Sequence, residues 1–319
     1  MRQLFSVDKI KLPVKSLRER YLVPPFSILD TSVGEWLKAR NAWEDIIKNR
    51  ANNIRNEIAK SNTPYINPMD YDEGYKGLER NGNISTFDPF LCEILVRWFS
   101  RPNDIIYDPF AGGHVRGMVS AVLGRNYYGI DINDKQIKAN YENYYSFCEK
   151  YQTDDIGAIN WVVGDSSDFD YHGIIEECNM VLMCPPYYNL EIYTDSPNDL
   201  SRQPTYEAFL EKFRKSVQIS YESLEDDSFA VVVVEEIRDK DGIMYGFVPD
   251  TVNIFKSVGF LYYNEMILAN RIMSLGVRCP KYFDRSRKVG RHHQNVFVFF
   301  KGNPKNIEDK FGRFENDSM

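Results

Sequence analysis

The chain has 319 residues, 43% of them hydrophobic, enough for one large α/β domain or two modest ones. No apolar run reaches the length of a membrane span, and the opening Met1-Arg2-Gln3-Leu4-Phe5-Ser6 lacks a signal-peptide core, so an unexported, cytoplasmic protein without a membrane segment is expected. The net charge of −7 argues globally against phosphate binding yet leaves room for a local basic patch. Cys92, Cys148, Cys178, Cys184 and Cys279 form no CxxC pair, and the four histidines do not cluster with them. For most of the cysteines a buried thiol in a reducing compartment is expected, with no metal site.

Residues 1–83 differ from the rest: a basic start, a polar helical stretch over Trp36–Ala59, then a turn-rich segment, Ser61–Gly82, holding Pro64, Pro68, Gly74 and Gly77. They read as an N-terminal helical extension and linker ahead of a main domain at 84–319. From residue 84 strands and helices alternate, as in a parallel doubly wound sheet. Strands are expected at Ile105–Asp108, Tyr127–Asp131, Trp161–Asp165, Met180–Cys184, Phe229–Glu235, Leu261–Ile267 and Asn295–Phe300. Helices are expected at Val115–Leu123, Asp134–Lys150, Tyr206–Ser223 and Pro249–Ser257. The connection before the final strand carries Pro280 and Gly290 and is short for a crossover helix. The last strand should therefore run antiparallel.

Asp108-Pro109-Phe110-Ala111-Gly112-Gly113 joins an apolar strand to a helix. Glycines there let backbone N–H groups approach a ligand at a helix N-terminus. Asp131, followed by Ile132, ends the next strand, where a carboxylate can chelate ribose hydroxyls. Asp165, followed by Ser166, ends the third and could reach an adenine amine. Singly, each acid fits a surface position or a helix cap. Three at successive strand ends point to a nucleoside-type cofactor.

The fourth strand ends Cys184-Pro185-Pro186-Tyr187. Here the chain resembles the amino-methylating DNA methyltransferases, whose catalytic motif is Asp, Asn or Ser before Pro-Pro-Tyr or Pro-Pro-Phe. Asp108–Gly112 is similar to that family's Asp-Pro-Phe-x-Gly cofactor motif, Phe87-Asp88-Pro89-Phe90 to the motif completing the methionine pocket, and His293–Lys301 to its late hairpin. The resemblance spans roughly residues 84–302, and the wider arrangement is similar to methyltransferases of phages and prophages. It implies a seven-stranded Rossmann-like fold, S-adenosylmethionine as cofactor, and double-stranded DNA as substrate for a monomer or homodimer. The methyl acceptor would be the exocyclic amine of a flipped base, cytosine N4 or adenine N6. Phe87, Asp88, Pro89, Asp108, Pro109, Phe110, Ala111, Gly112, Gly113, Asp131, Ile132, Asp165, Ser166 and Cys184 would then form the cofactor site. The Pro185 carbonyl would accept an amine N–H, and the Tyr187 ring would stack on the base.

Two positions depart from the pattern. His114 stands where the family has a second glycine, and Cys184 replaces Asp, Asn or Ser. A thiol is a weak acceptor for an amine proton. Its likeness to serine leans toward cytosine N4, while a thiolate at 184 would suit C5 methylation of a pyrimidine. Methylation of RNA or a protein amide is also compatible with these residues, as is a DNA-binding fold without catalysis. Arg271, Arg278, Lys281, Arg285, Arg287, Lys288 and Arg291 face a single acid, Asp284, across residues 271–293. This stretch reads as a loop along a phosphate backbone, or as a solvated basic face. Asp195, Asp199 and Ser201 suit a base pocket or a turn; Tyr21, Trp36 and Trp43 suit DNA contact or a helical core.

Overall fold

A computed structural model describes residues 17–47, 86–152, 156–168, 177–273 and 275–314. The turn-rich segment 61–82, and the expected helix beyond residue 47, lie outside the described residues. The strands are β1 (Ile28–Asp30), β2 (Ile105–Asp108), β3 (Asn126–Asp131), β4 (Ile159–Val163), β5 (Cys178–Met183), β6 (Leu224–Val234), β7 (Leu261–Ala269) and β8 (His293–Lys301). They form one sheet in the order β1-β7-β8-β6-β5-β2-β3-β4. Only β8 runs against its neighbours, pairing antiparallel with both β6 and β7. The Rossmann-like class and the reversed final strand are as expected, and β1 adds an eighth strand to the expected seven.

The sequence of each central strand explains its burial. Phe229-Ala230-Val231-Val232-Val233-Val234 of β6 and Val296–Phe300 of β8 are continuous apolar runs, as a sheet covered on both faces requires. Alternate residues feed two cores. Met180, Leu182, Val231, Val233, Val296 and Val298 face one side, where α2 (Gly34–Ile47), α3 (Pro89–Phe99), α4 (Val115–Val122) and α5 (Asp134–Tyr151) contribute, while the short α1 (Leu17–Tyr21) buries no residue. Val181, Met183, Val232, Val234, Phe297 and Phe299 face α6 (Tyr206–Ser223) and α7 (Phe247–Val258).

The N-terminal residues do more than extend the fold with helices. β1 pairs with β7, Ile28 opposite Ile267 and Asp30 opposite Ala269. Trp36 and Trp43 are buried in the first core, and their indole N–H groups donate to Asp88 Oδ2 (3.0 Å) and Glu93 Oε2 (2.6 Å) of the α3 region. Both pack in the core, and Trp36 also borders the cleft described below.

Two further differences from expectation bear on the site. β4 stops at Val163, so Asp165 lies in the loop beyond it. The stretch expected as a basic loop holds a helix, α8 (Leu275–Ser286), with no buried residue and with Pro280 inside it. Pro280, a residue that removes a backbone donor and disfavours a helix interior, is why this segment reads as a loop in the sequence.

Candidate active site

The chain runs from β2 outward to β4 and then returns to β5 and β6 on the other side of β2. Such a switch point opens a crevice at the carboxyl ends of the strands. A cleft of about 850 Å³ lies there, lined from α2 and α3 by Trp36, Arg40, Phe87 and Asp88, and from the strand ends by Gly112, Asp131, Asp165, Cys184, Tyr187 and Glu235.

The β2–α4 turn is rigid because Asp108 is wholly committed to it. Its buried carboxylate accepts from Arg116 Nε (2.5 Å), Tyr127 Oη (2.7 Å) and the Phe110 N–H (3.0 Å). Arg116 also donates to the Phe110 and Ala111 carbonyls and stacks over the Phe87 ring at 4.8 Å. Burial works against the Arg116 charge, but Asp108 beside it outweighs that and holds the guanidinium charged. Asp108, Ala111 and Pro89 are buried behind the cleft wall, whereas Pro109, Phe110, Gly112 and Gly113 line it. Asp108 therefore shapes the turn from beneath. Arg116 escaped the sequence reading, though a cation in the first turn of a helix opposes the macrodipole and so signals a specific partner.

Gly112 has φ +54°, which a side chain would strain. Its N–H donates to Asp131 Oδ2 (2.8 Å), while Oδ1 accepts from the Asn133 N–H (2.8 Å). A Cβ on Gly129 would lie 2.8 Å from that of Ala111, so this glycine lets the turn pack on β3. His114 replaces the expected glycine without entering the cleft wall. Its Nε2–H donates to the Ile47 carbonyl (3.2 Å) and Nδ1 accepts from Asn143 (3.1 Å), tying α2 to α5.

Asp165 also lines the cleft, with Oδ2 2.6 Å from Lys212 Nζ and Oδ1 accepting from the Ser167 hydroxyl (2.7 Å) and N–H (3.0 Å). Burial raises its pKa, but Lys212 and Ser167 lower it more, leaving it below the ordinary carboxylate range. Ser166 pairs with Ser216 at 3.0 Å.

At the end of β5, Cys184 Sγ is 3.8 Å from Tyr187 Oη, which accepts from Gln294 Nε2 at 3.1 Å. Burial pushes the Cys184 thiol pKa up, favouring the neutral thiol. Tyr188, at φ +48°, turns the chain and buries its ring against Tyr206, Phe209 and Tyr245. In the following loop Asp199 accepts from the Tyr193, Thr194 and Ser201 N–H groups, and exposed Asp195 pairs with Arg202. Both organise the loop, and Asp199 and Tyr193 also reach the cleft wall.

Glu235, just past β6, was not singled out from the sequence. It lines the cleft, and burial pushes its pKa up against the opposing effect of Arg291. The basic residues divide. Arg271 lines the cleft mouth, and Arg278, Lys281, Arg285 and Arg287 are exposed on or beside α8. Lys288 is half-buried against the Gly242 turn. Arg291 turns inward to Asn295 Oδ1 (2.8 Å) and the His293 carbonyl (3.2 Å), away from the exposed basic face.

A doubly wound α/β domain with a cleft of about 850 Å³ at its switch point is the class that fold and site define. A DNA methylase family profile matches residues 85–142. That span holds the Phe87 and Asp108 motifs and Asp131, and ends before Cys184. The DNA adenine methyltransferase YhdJ of Escherichia coli K12 is 42% identical over 48 residues, which are 15% of this chain and 16% of that protein. Among solved structures, TrmN from Thermus thermophilus aligns with a TM-score of 0.43 and 14% identity, over 67% of this chain and 48% of that one. The magnesium protoporphyrin IX methyltransferase ChlM of Synechocystis, with bound S-adenosylmethionine, aligns with a TM-score of 0.42 and 12% identity, over 67% and 79%.

Proposed function

We propose that the protein transfers a methyl group from S-adenosylmethionine to the exocyclic amine of a base in double-stranded DNA. One observation carries this reading: a single cleft holds both the Gly112–Asp131 edge and the Cys184-Pro185-Pro186-Tyr187 turn. The cofactor fits the residues present. Asp131 offers carboxylate oxygens for ribose hydroxyls, Ile132 and Phe110 are apolar flanks for an adenine, and Phe87 and Asp88 close the opposite end. When bound, the sulfonium supplies an electrophilic methyl group.

The chain's own residues present the amine. Pro185 and Pro186 hold the backbone extended, so the Pro185 carbonyl accepts one amine N–H. The Tyr187 ring, braced by Gln294, stacks on a base taken out of the duplex. Orientation of the nitrogen at the methyl donor is chiefly a proximity effect. The exposed arginines of the α8 region neutralise phosphates beside the cleft.

The raised thiol pKa of Cys184, and its place before the two prolines, favour amine methylation over a C5 mechanism that needs a thiolate. The name of the matched relative turns the target toward adenine N6, against the cytosine suggested by the serine-like thiol. A DNA substrate goes with a cytoplasmic location, and among the described residues no helix is long and apolar enough to cross a membrane. The test incubates the protein with DNA and labelled methyl donor, digests to nucleosides and identifies the product by mass. N6-methyladenosine or N4-methylcytidine in its deoxy form supports the reading; label only in the C5 position, in RNA or in protein refutes it.

A further inference from the structure

Amine methylation leaves one chemical need unmet at Cys184. A methylated amine nitrogen must shed a proton, and a buried neutral thiol is a poor acceptor for it. We propose that Glu235 is that acceptor. It would take one amine N–H as a hydrogen bond and then the departing proton, a role that rests on the amine-methylating reading above.

Strand register brings the two sites together. β6 runs beside β5 with Met183 opposite Val232, so the Cys184–Pro186 turn leaves the sheet alongside the end of β6. On the other side β8 places Asn295 opposite Val234, and the preceding residue, Gln294, braces Tyr187. Glu235, Gln294 and Tyr187 thus share one wall of the cleft.

The contrast with the next residue is informative. Glu236 accepts from the N–H groups of Gly246, Phe247 and Val248 at the start of α7. Its carboxylate is consumed by the fold. Glu235 has Arg291 Nε at 3.8 Å, beyond hydrogen-bond length, because that guanidinium is committed to Asn295 and His293. Of two consecutive acids, one builds a helix start and the other faces the cleft. The charged and titratable groups that act on it are Arg291 from the segment before β8 and Tyr187 from the β5 turn, and Cys184, beside Tyr187, lines the same cleft. Burial makes this carboxylate a better proton acceptor than an exposed glutamate.

The step balances. The amine nitrogen lone pair forms the N–C bond to the methyl group as the C–S bond breaks, its electron pair leaving with sulfur as a thioether. The N–H proton passes to Glu235, and that bond's electrons return to nitrogen as its lone pair.

The test is single-turnover methylation by the full chain across about pH 5 to 8, for wild type, E235Q and C184D/E235Q. Wild type should lose activity as the pH falls through the raised Glu235 pKa. E235Q keeps an amide oxygen but cannot take the proton, so its rate should fall by about a hundredfold or more and the acid limb should disappear. Its affinity for S-adenosylmethionine, measured by calorimetry, should be unchanged, which also reports folding. A carboxylate restored at position 184 should recover about tenfold or more of the E235Q loss, which no structural defect at 235 would allow. Wild-type turnover by E235Q, a retained acid limb, or no recovery in the double variant overturns the assignment while amine methylation stands. A wild type that methylates no base amine overturns both.

Discussion

Arg116 and Asp108 form a buried ion pair with 2.5 Å between Nε and Oδ2 at the turn that opens the cleft. The pair converts two charges into a rigid support for the Gly112 backbone. Removing one partner would leave the other charge buried alone, which costs about 3–5 kcal/mol. Arg116→Met should therefore lower the denaturation free energy by about that amount, read from urea melts. A loss of only a few tenths would show that the pair is dispensable.

Asp131 gives a separate handle on the cofactor. Loss of a charge-assisted hydrogen bond costs about 1.5–3 kcal/mol, or roughly tenfold to a hundredfold in affinity. Calorimetry of S-adenosylmethionine with Asp131→Ala should show that loss in a folded protein. Unchanged affinity would remove Asp131 from the site.

The Asp165–Lys212 pair predicts a pH dependence. Asp165 has its folded pKa below the unfolded one. Its stabilisation is therefore complete above the unfolded pKa and is lost as the pH falls through the folded value. Lys212→Met should be less stable than wild type by about 1–3 kcal/mol at neutral pH. The two stabilities should converge below the ordinary carboxylate range. A gap independent of pH would assign the effect to lost packing of the lysine stem.

The exposed arginines can be tested by salt. Replacing Arg278, Arg285 and Arg287 by Ala should weaken DNA binding and flatten the dependence of log affinity on log salt by about 0.9 per lost phosphate contact. An identical slope would return these residues to a solvated face.

Cys184 and Tyr187 separate the two kinds of methylation. Under amine chemistry Cys184→Ser stays active, while Tyr187→Ala loses about 1–3 kcal/mol of base stacking. DNA bearing 5-fluorocytosine should form no adduct that survives a denaturing gel. An adduct with wild type, absent in Cys184→Ser, would establish the C5 mechanism instead.

The fold class and the strand-end edge of the cleft were legible in the sequence because their signals are local. The apolar runs of β2, β3, β5 and β6 mark doubly covered strands, and Gly112 and Asp131 stand at the turns after them. The Cys184-Pro185-Pro186-Tyr187 turn reads the same way, since two prolines restrict the backbone wherever they occur. Residue type alone did not tell that Asp108 is spent on Arg116, that Glu236 caps α7 while Glu235 faces the cleft, or that Arg291 turns inward among otherwise exposed arginines. Nor did it show that Ile28–Asp30 adds a strand beside β7 or that α8 stands off the core. Those outcomes depend on which partners long-range packing brings within hydrogen-bond reach, and a carboxylate's chemistry follows from whether its oxygens are already taken.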